Sequence, residues 1–434
     1  MTDAGVTDRA GEDVVEICRD LIRIDSTNPT SNERAAAEWV AAKLTDCGLT
    51  PELYEADAGR ASVVARWAGA DPTRDALLIH GHLDVVPANA SDWQVDPFSG
   101  EIKDGCVWGR GAVDMKDMDA MVLALLADWT REGKRPPRDV VLAFVADEEA
   151  GGIQGAHHLV DHHADLFEGC TEAISEVGGF SLTIGDRRLY AIETAEKGIA
   201  WLRLVAKGTA GHGSMLNDDN AVTLLAEAVA RVGRHTFPIE VGPTVEAFLR
   251  EICDALGIGY DPNDVEGVLS KLGPLARMVG ATVRHTANPT MLEAGYKQNV
   301  IPGEAYAYLD CRFLPGGEES FREELARVVG PDIAIEVMQT QIAYETSFDG
   351  DLVAAMSAAI TDEDPEARVM PYALSGGTDA KSFSELGMRC FGFSPLRLPP
   401  DLNFVGMFHG VDERVPVESL QFGVRTLSRF LANA

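Results

Sequence analysis

The chain has 434 residues, 46% of them apolar, and carries 69 acidic against 37 basic side chains for a net charge of -32. That length exceeds one ordinary hydrophobic core and implies two domains. The charge excludes nucleic acid and anionic membrane as partners, because both demand a positive field.

The N-terminal stretch 1–13 is polar and acidic and lacks the apolar centre of a signal peptide. Helical patterns follow at 14–24 and 32–47, strand patterns at 61–67 and 76–80, a helix at 118–129, a strand at 140–146 and a further helix. This rhythm predicts an α/β fold, a mixed sheet flanked by helices. Near Lys197 the character changes. A strand at 198–207, a helix at 220–234, strands at 290–298 and 305–313, a helix at 318–329 and a strand at 333–338 give the order βαββαβ, the ferredoxin-like unit. A helical insert occupies about 240–280 within it. Helix and strand return from 352 onward, so a domain 196–345 is expected inside a discontinuous one, 1–195 and 346–434.

The seven cysteines are odd in number, scattered and never spaced C-x-x-C. They suit neither a disulfide framework nor a thiolate zinc site, and they imply a reducing, cytoplasmic setting. The longest apolar runs, 121–127 and 140–146, are too short to span a bilayer.

The polar residues that interrupt this pattern are the candidates for chemistry. His82 and Asp84 stand two apart at the end of an apolar strand and so share a face. An imidazole beside a carboxylate at that spacing suits a metal ligand whose second nitrogen is held by an acid. His80 shares the face, and the triplet alone does not choose between the two histidines. Asp114 follows a glycine-rich turn, Gly109-Arg110-Gly111, where alone it would read as a helix cap. Glu148 and Glu149 follow the strand 140–146 at the end where α/β sheets place their sites, and adjacent acids there are costly unless neutralised. Glu176 and His409 complete a set whose members are each unremarkable alone.

Taken in order, this set resembles the metallopeptidase family of aminoacylase, acetylornithine deacetylase, succinyl-diaminopimelate desuccinylase, glutamate carboxypeptidase and the cytosolic dipeptidases. The matching stretches are Gly81-His82-Leu83-Asp84-Val85-Val86-Pro87, Gly109-Arg110-Gly111 with Asp114-Met115-Lys116, Asp147-Glu148-Glu149, Glu176 and His409. The resemblance spans nearly the whole chain and implies two Zn2+ ions, with Co2+ or Mn2+ as substitutes. Asp114 would bridge them, His82 and Glu176 would complete one shell, and Glu149 and His409 the other. Asp84 would orient His82, Glu148 would be the general base, and the Asp114–Met115 peptide would be cis. In the inserted domain, read as a lid and dimerisation domain, Gly211-His212-Gly213 resembles the family's lid motif. His212 would then serve the oxyanion, sometimes in the partner subunit's site. Asn299, Arg312 and Gly377 would touch substrate, Arg312 as a clamp on a carboxylate.

The expected function is a di-zinc hydrolase that cleaves an amide or peptide bond in a small N-acyl amino acid or short peptide, and the resemblance implies a homodimer through the lid domain. The competing classes are a two-metal esterase and a catalytically silent relative. Four histidines, His157, His158, His162 and His163, crowd one predicted helix, and this reads as a solvated helix end rather than a metal site.

Overall fold

A computed structural model of the chain describes residues 5–29, 32–273 and 275–434. The first four residues of the polar N-terminal stretch lie outside the described residues. The fold divides into two compact units. One runs to Thr194 and resumes over Thr346–Tyr372 and Thr378–Ala434; the other comprises Ala195–Glu345 and Ala373–Gly377.

The first unit is built on a mixed sheet. From its edge the strands run Glu52–Asp57, Arg60–Trp67, Val140–Val145, Ala76–His82, Cys170–Ser175 and Arg389–Gly392. The last four are parallel to one another, and the first two pair antiparallel. Ala76–His82 and Val140–Val145 are buried at every position. Helices cover both faces of such strands, so they read as unbroken apolar runs without alternation. Parallel strands aligned in this way bring their carboxyl ends to one edge of the sheet. His82 and the residues that follow Val145 and Ser175 are delivered there.

Helix Asp8–Arg23 begins six residues before the expected start at 14. It buries Ala10, Val14, Cys18 and Leu21 at helical spacing, and Thr7 ahead of it donates to Asp128. The strand Glu52–Asp57 has no counterpart among the expected elements. It is an edge strand, largely solvent-exposed, and lacks the apolar alternation that would have marked it. Strands Ser181–Ile184 and Arg187–Glu196 were likewise not anticipated.

The second unit is a four-stranded antiparallel sheet in the order Thr286–Ala294, Glu304–Phe313, Gly198–Lys207 and Ile333–Gln341. This is the strand order of the ferredoxin-like unit. Glu304–Phe313 alternates strictly, burying Ala305, Ala307, Leu309, Cys311 and Phe313. These pack with Leu225, Ala228 and Val232 of helix Ala221–Arg234 and with Phe321 and Leu325 of helix Glu318–Val329. The strand expected at 290–298 lies four residues earlier. A register shift between Pro289 and Met291 breaks its alternation, and Gly295, at φ 69°, follows its end. The insert contains helices Pro243–Leu256, Val265–Leu269 and Leu275–Thr282. Among the described residues no helix is long and apolar enough to cross a membrane.

An excess of 69 acids over 37 bases opposes compaction by self-repulsion. Raising KCl from about 0.1 M to about 1 M shortens the screening length from about 10 Å to about 3 Å. Scanning calorimetry is therefore expected to show Tm rising by several degrees across that range; a flat or falling Tm would refute the argument.

Candidate metal centre

Seven of the residues singled out in the sequence converge in the first unit. His82 ends the strand Ala76–His82. Asp114 precedes helix Lys116–Arg131, and its peptide to Met115 is cis. Glu148 and Glu149 open a short 3-10 turn after Val145, and Glu176 follows Ser175. His409 arrives from a loop near the C-terminal end of the chain. Three of these positions depend on left-handed backbone at residues other than glycine: Asp147, immediately before Glu148, at φ 71°; Val177, after Glu176, at 56°; and His409 itself, at 56°. Such conformations are unfavourable for L-residues and concentrate where function demands a particular side-chain direction. Gly81, between the two histidines, lets the Asp119 side chain pack close, since a Cβ there would lie 2.3 Å from Asp119 Oδ1.

Asp114 is the hub. Its Oδ1 lies 3.0 Å from His82 Nε2, and its Oδ2 lies 3.3 Å from His409 Nε2. His82 Nε2 is also 3.7 Å from Glu176 Oε2, and His409 Nε2 is 3.0 Å from Glu149 Oε2. Two groups therefore offer donor atoms close enough to share an ion, His82–Asp114–Glu176 and Asp114–Glu149–His409, with Asp114 common to both. His82, Asp114 and Glu176 are buried, whereas the His409 side chain is 57% exposed. The second group therefore opens to solvent.

The electrostatics follow from this crowding. Burial pulls His82 down, but Glu176, Asp114 and Asp84 outweigh it and hold the imidazole well above its ordinary value. Hydrogen bonds to Asp114 and Glu149 raise His409 to about 10. Burial pushes Glu176 up to about 7. It pushes the Glu148 carboxyl well above the usual range too, with Glu176, Asp379 and Glu149 acting in the same direction against the pull of His82. A buried cluster of acids relieved only by imidazolium is a site suited to cations.

Asp84 stands beside His82 and also ties down the neighbouring turn. His82 Nδ1 lies 2.9 Å from the backbone carbonyl of Asp84 and 3.6 Å from its carboxylate. The carboxylate also accepts from the backbone amides of Glu148 and Glu149, each at 3.1 Å, and from Asn28 Nδ2 at 2.8 Å. Asp84 thus ties the His82 strand to the turn that carries both glutamates. Behind it, Arg60 pairs with Asp147 and Glu33 and donates to Asn28 Oδ1. Asp147 enters the sequence reading only as part of the stretch Asp147-Glu148-Glu149, and Asn28 and Arg60 do not enter it. Asn28 and Arg60 belong to segments with no recognisable motif, and only the fold brings them to Asp84.

His80 is resolved by packing. It is buried, its ring lies 4.6 Å from that of Phe383, and burial lowers it to about 3. Its folded pKa lies below the unfolded value near 6.5, so this contribution is fully present above about pH 6.5 and is lost as pH falls toward 3. Each unit in that window costs about 1.4 kcal/mol. Denaturant unfolding of wild type and His80→Leu at pH 7 and pH 5 is expected to show the smaller pH dependence in the variant; equal slopes would contradict the assignment.

The other four candidates belong to the second unit. His212 lies exposed on the short strand Gly211–His212, which pairs with Val300–Ile301, and Gly213 N donates to Asn299 O at 2.9 Å. His212 and Asn299 are therefore neighbours, with Ser214 Oγ 2.8 Å from His212 Nδ1. Arg312 directs Nε and Nη2 to the two oxygens of Asp310, at 2.7 and 3.1 Å. Gly377 is half-buried ahead of helix Ala380–Ser384. In the first unit His157, His158 and His162 lie on helix Ala156–His162 and His163 caps its end, with the His158 and His162 rings stacked at 4.7 Å. Among the described residues the metal-competent triads are the two that share Asp114.

Comparison with known proteins agrees with this geometry. Residues 78–433 match the profile described as peptidase family M20/M25/M40. Aminoacylase-1 of Sus scrofa is 28% identical over 432 residues, covering 96% of this chain and 94% of that protein. Among solved structures, the M20 family metallo-carboxypeptidase Sso-CP2 of Sulfolobus solfataricus superposes with a TM-score of 0.75 at 18% identity, covering 97% of this chain and 98% of that one. The dinuclear metal-binding M20 peptidase YXEP of Bacillus subtilis gives 0.64 at 13% identity, covering 98% of each chain.

Proposed function

The chain belongs to peptidase family M20/M25/M40, and from that membership we propose that it is a di-zinc hydrolase of small carboxylate-bearing amides, N-acyl amino acids or short peptides. The observation that carries this reading is the pair of triads sharing Asp114, with Glu148 beside them. Nitrogen and carboxylate oxygen without thiolate suit Zn2+, with Co2+ or Mn2+ as substitutes. His82, Asp114 and Glu176 would hold one ion, and Asp114, Glu149 and His409 the other.

When bound, two divalent ions supply an acidified water and a polarised carbonyl. Glu148 takes the proton of the attacking water and returns it to the departing amine. Asp84, by accepting from the backbone amides of Glu148 and Glu149, fixes the turn that carries Glu148. His212 donates to the developing oxyanion, and Asn299 and Gly377 contact the substrate. Arg312 grips the substrate carboxylate. A guanidinium has five N–H donors, so its pairing with Asp310 orients the head and leaves donors for a ligand.

The test is a panel of N-acetyl and N-succinyl amino acids and dipeptides, each assayed beside its C-terminal carboxamide. The free carboxylate form is expected to be preferred, and Arg312→Ala is expected to raise its KM about 10- to 100-fold, the size of a lost charge-assisted hydrogen bond. Equal turnover of acid and carboxamide would remove the carboxylate requirement and Arg312's role together. We also propose a cytoplasmic setting, supported by seven free cysteines. A homodimer formed through the second unit is supported by Met291 and Leu292, exposed on the edge strand Thr286–Ala294; light scattering on the purified chain tests it.

A further inference from the structure

Glu413 lies four residues beyond His409, is completely buried, and was not anticipated as part of the site. Its carboxylate is filled by a single loop. Oε2 accepts from Arg110 Nη1 at 2.8 Å and from Gly111 N at 3.1 Å; Oε1 accepts from Val113 N at 2.6 Å and from Asp114 N at 3.2 Å. Its own carbonyl accepts from Gly109 N at 3.0 Å. On one side, Asp412 accepts from the backbone and side-chain nitrogens of Gln94 at 2.8 and 2.7 Å. On the other, Arg414–Pro416 pairs with Cys106–Trp108. One short segment thus carries His409 and, through Glu413, grips the backbone of Asp114, about 300 residues away in sequence.

We propose that Glu413 is a positioning residue for the metal centre, a buried carboxylate that locks the Asp114 loop to the His409 segment so that both ligands close on the same ion. This rests on the two-ion reading above. Of the ligands in the Asp114–Glu149–His409 triad, two hang on segments that Glu413 joins. In the His82–Asp114–Glu176 triad only Asp114 does, because His82 and Glu176 are fixed by neighbouring parallel strands. Loss of the carboxylate therefore weakens one ion far more than the other. Glutamine in its place presents one acceptor oxygen and an NH2 that faces N–H donors.

The test is titration of Co2+ and Zn2+ into metal-free wild type, Glu413→Gln and Glu413→Asp, followed by calorimetry and by the visible absorption of cobalt. Wild type is expected to bind two ions; if it binds none, the two-ion reading itself falls, whatever the variants do. Given two ions in wild type, Glu413→Gln is expected to retain one at near wild-type affinity and to bind the second about 10- to 100-fold more weakly, as for other outer partners of metal ligands. Glu413→Asp, which keeps the charge, is expected to recover part of that loss. Two ions with unchanged affinities in Glu413→Gln would overturn the proposal. So would equal weakening of both in step with a lower Tm, the mark of a merely structural residue. If Glu413→Gln lacks a cooperative melt, Glu413→Asp decides by the same readout, and an unweakened second ion there overturns it.

Discussion

Glu148→Gln is expected to lower kcat by a factor on the order of 10²–10⁴ or more while the protein keeps its fold and its full metal content. Glu148 belongs to neither ligand triad, so the substitution removes no donor. Glutamine nearly matches glutamate in shape, and the Asp84 contact is made by the backbone amide of residue 148, so the turn survives. What disappears is an oxygen able to accept a proton. The Glu148 carboxylate belongs to neither ligand triad, so it can take up a proton from water and deliver it to the amine. KM should change little, since the side chain has no role in gripping the substrate. The measurement is steady-state kinetics alongside metal analysis. A variant within tenfold of wild type would transfer the base role to another carboxylate, with buried Asp379, whose charge acts on Glu148, as the candidate; a variant that has lost its metal would make Glu148 a ligand instead.

The candidate site was legible from its residues taken in order, each unremarkable alone; the better marked of them sit at the end of an apolar strand, after a glycine-rich turn, or between strand and helix. His82, Asp114, Glu148 and Glu149 are all of this kind. The layer that supports them was not legible. Asp84 reads as a partner for His82, but no sequence signal shows that its carboxylate also holds the Glu148 and Glu149 amides. A backbone N–H has no residue type, and so it leaves no mark on a sequence. Glu413 went unnoticed for the same reason: three of its four side-chain partners are main-chain amides. The fold shows the parallel case. Central strands announce themselves by burial, while the edge strand Glu52–Asp57 is held chiefly by its ladder to Arg60–Trp67. Edge pairing and backbone capture are tertiary facts.

Chelation followed by metal restoration is expected to produce the other large effect. A chelator should abolish amide hydrolysis and lower Tm, and Zn2+, Co2+ or Mn2+ should restore both. An ion held at about 100 times its Kd stabilises the folded state by about 2.7 kcal/mol, so a pair contributes about 5 kcal/mol. The metal-free centre has to balance Asp114, Glu149 and Glu176 in some other way, and the imidazoles provide it. His82 is held well above its ordinary value, and His409 rises to about 10. A histidine whose folded pKa is raised stabilises fully below the unfolded value near 6.5 and loses that contribution as pH climbs through the folded value. The metal-free protein should therefore become less stable between about pH 6.5 and pH 10. Metal binding displaces the same protons, so affinity should rise with pH over that window while about two protons per chain are released near neutrality. Calorimetry in buffers of different ionisation enthalpy counts those protons. If none is released, the ligand imidazoles and carboxylates alike are already unprotonated in the metal-free chain, and the raised histidines are refuted.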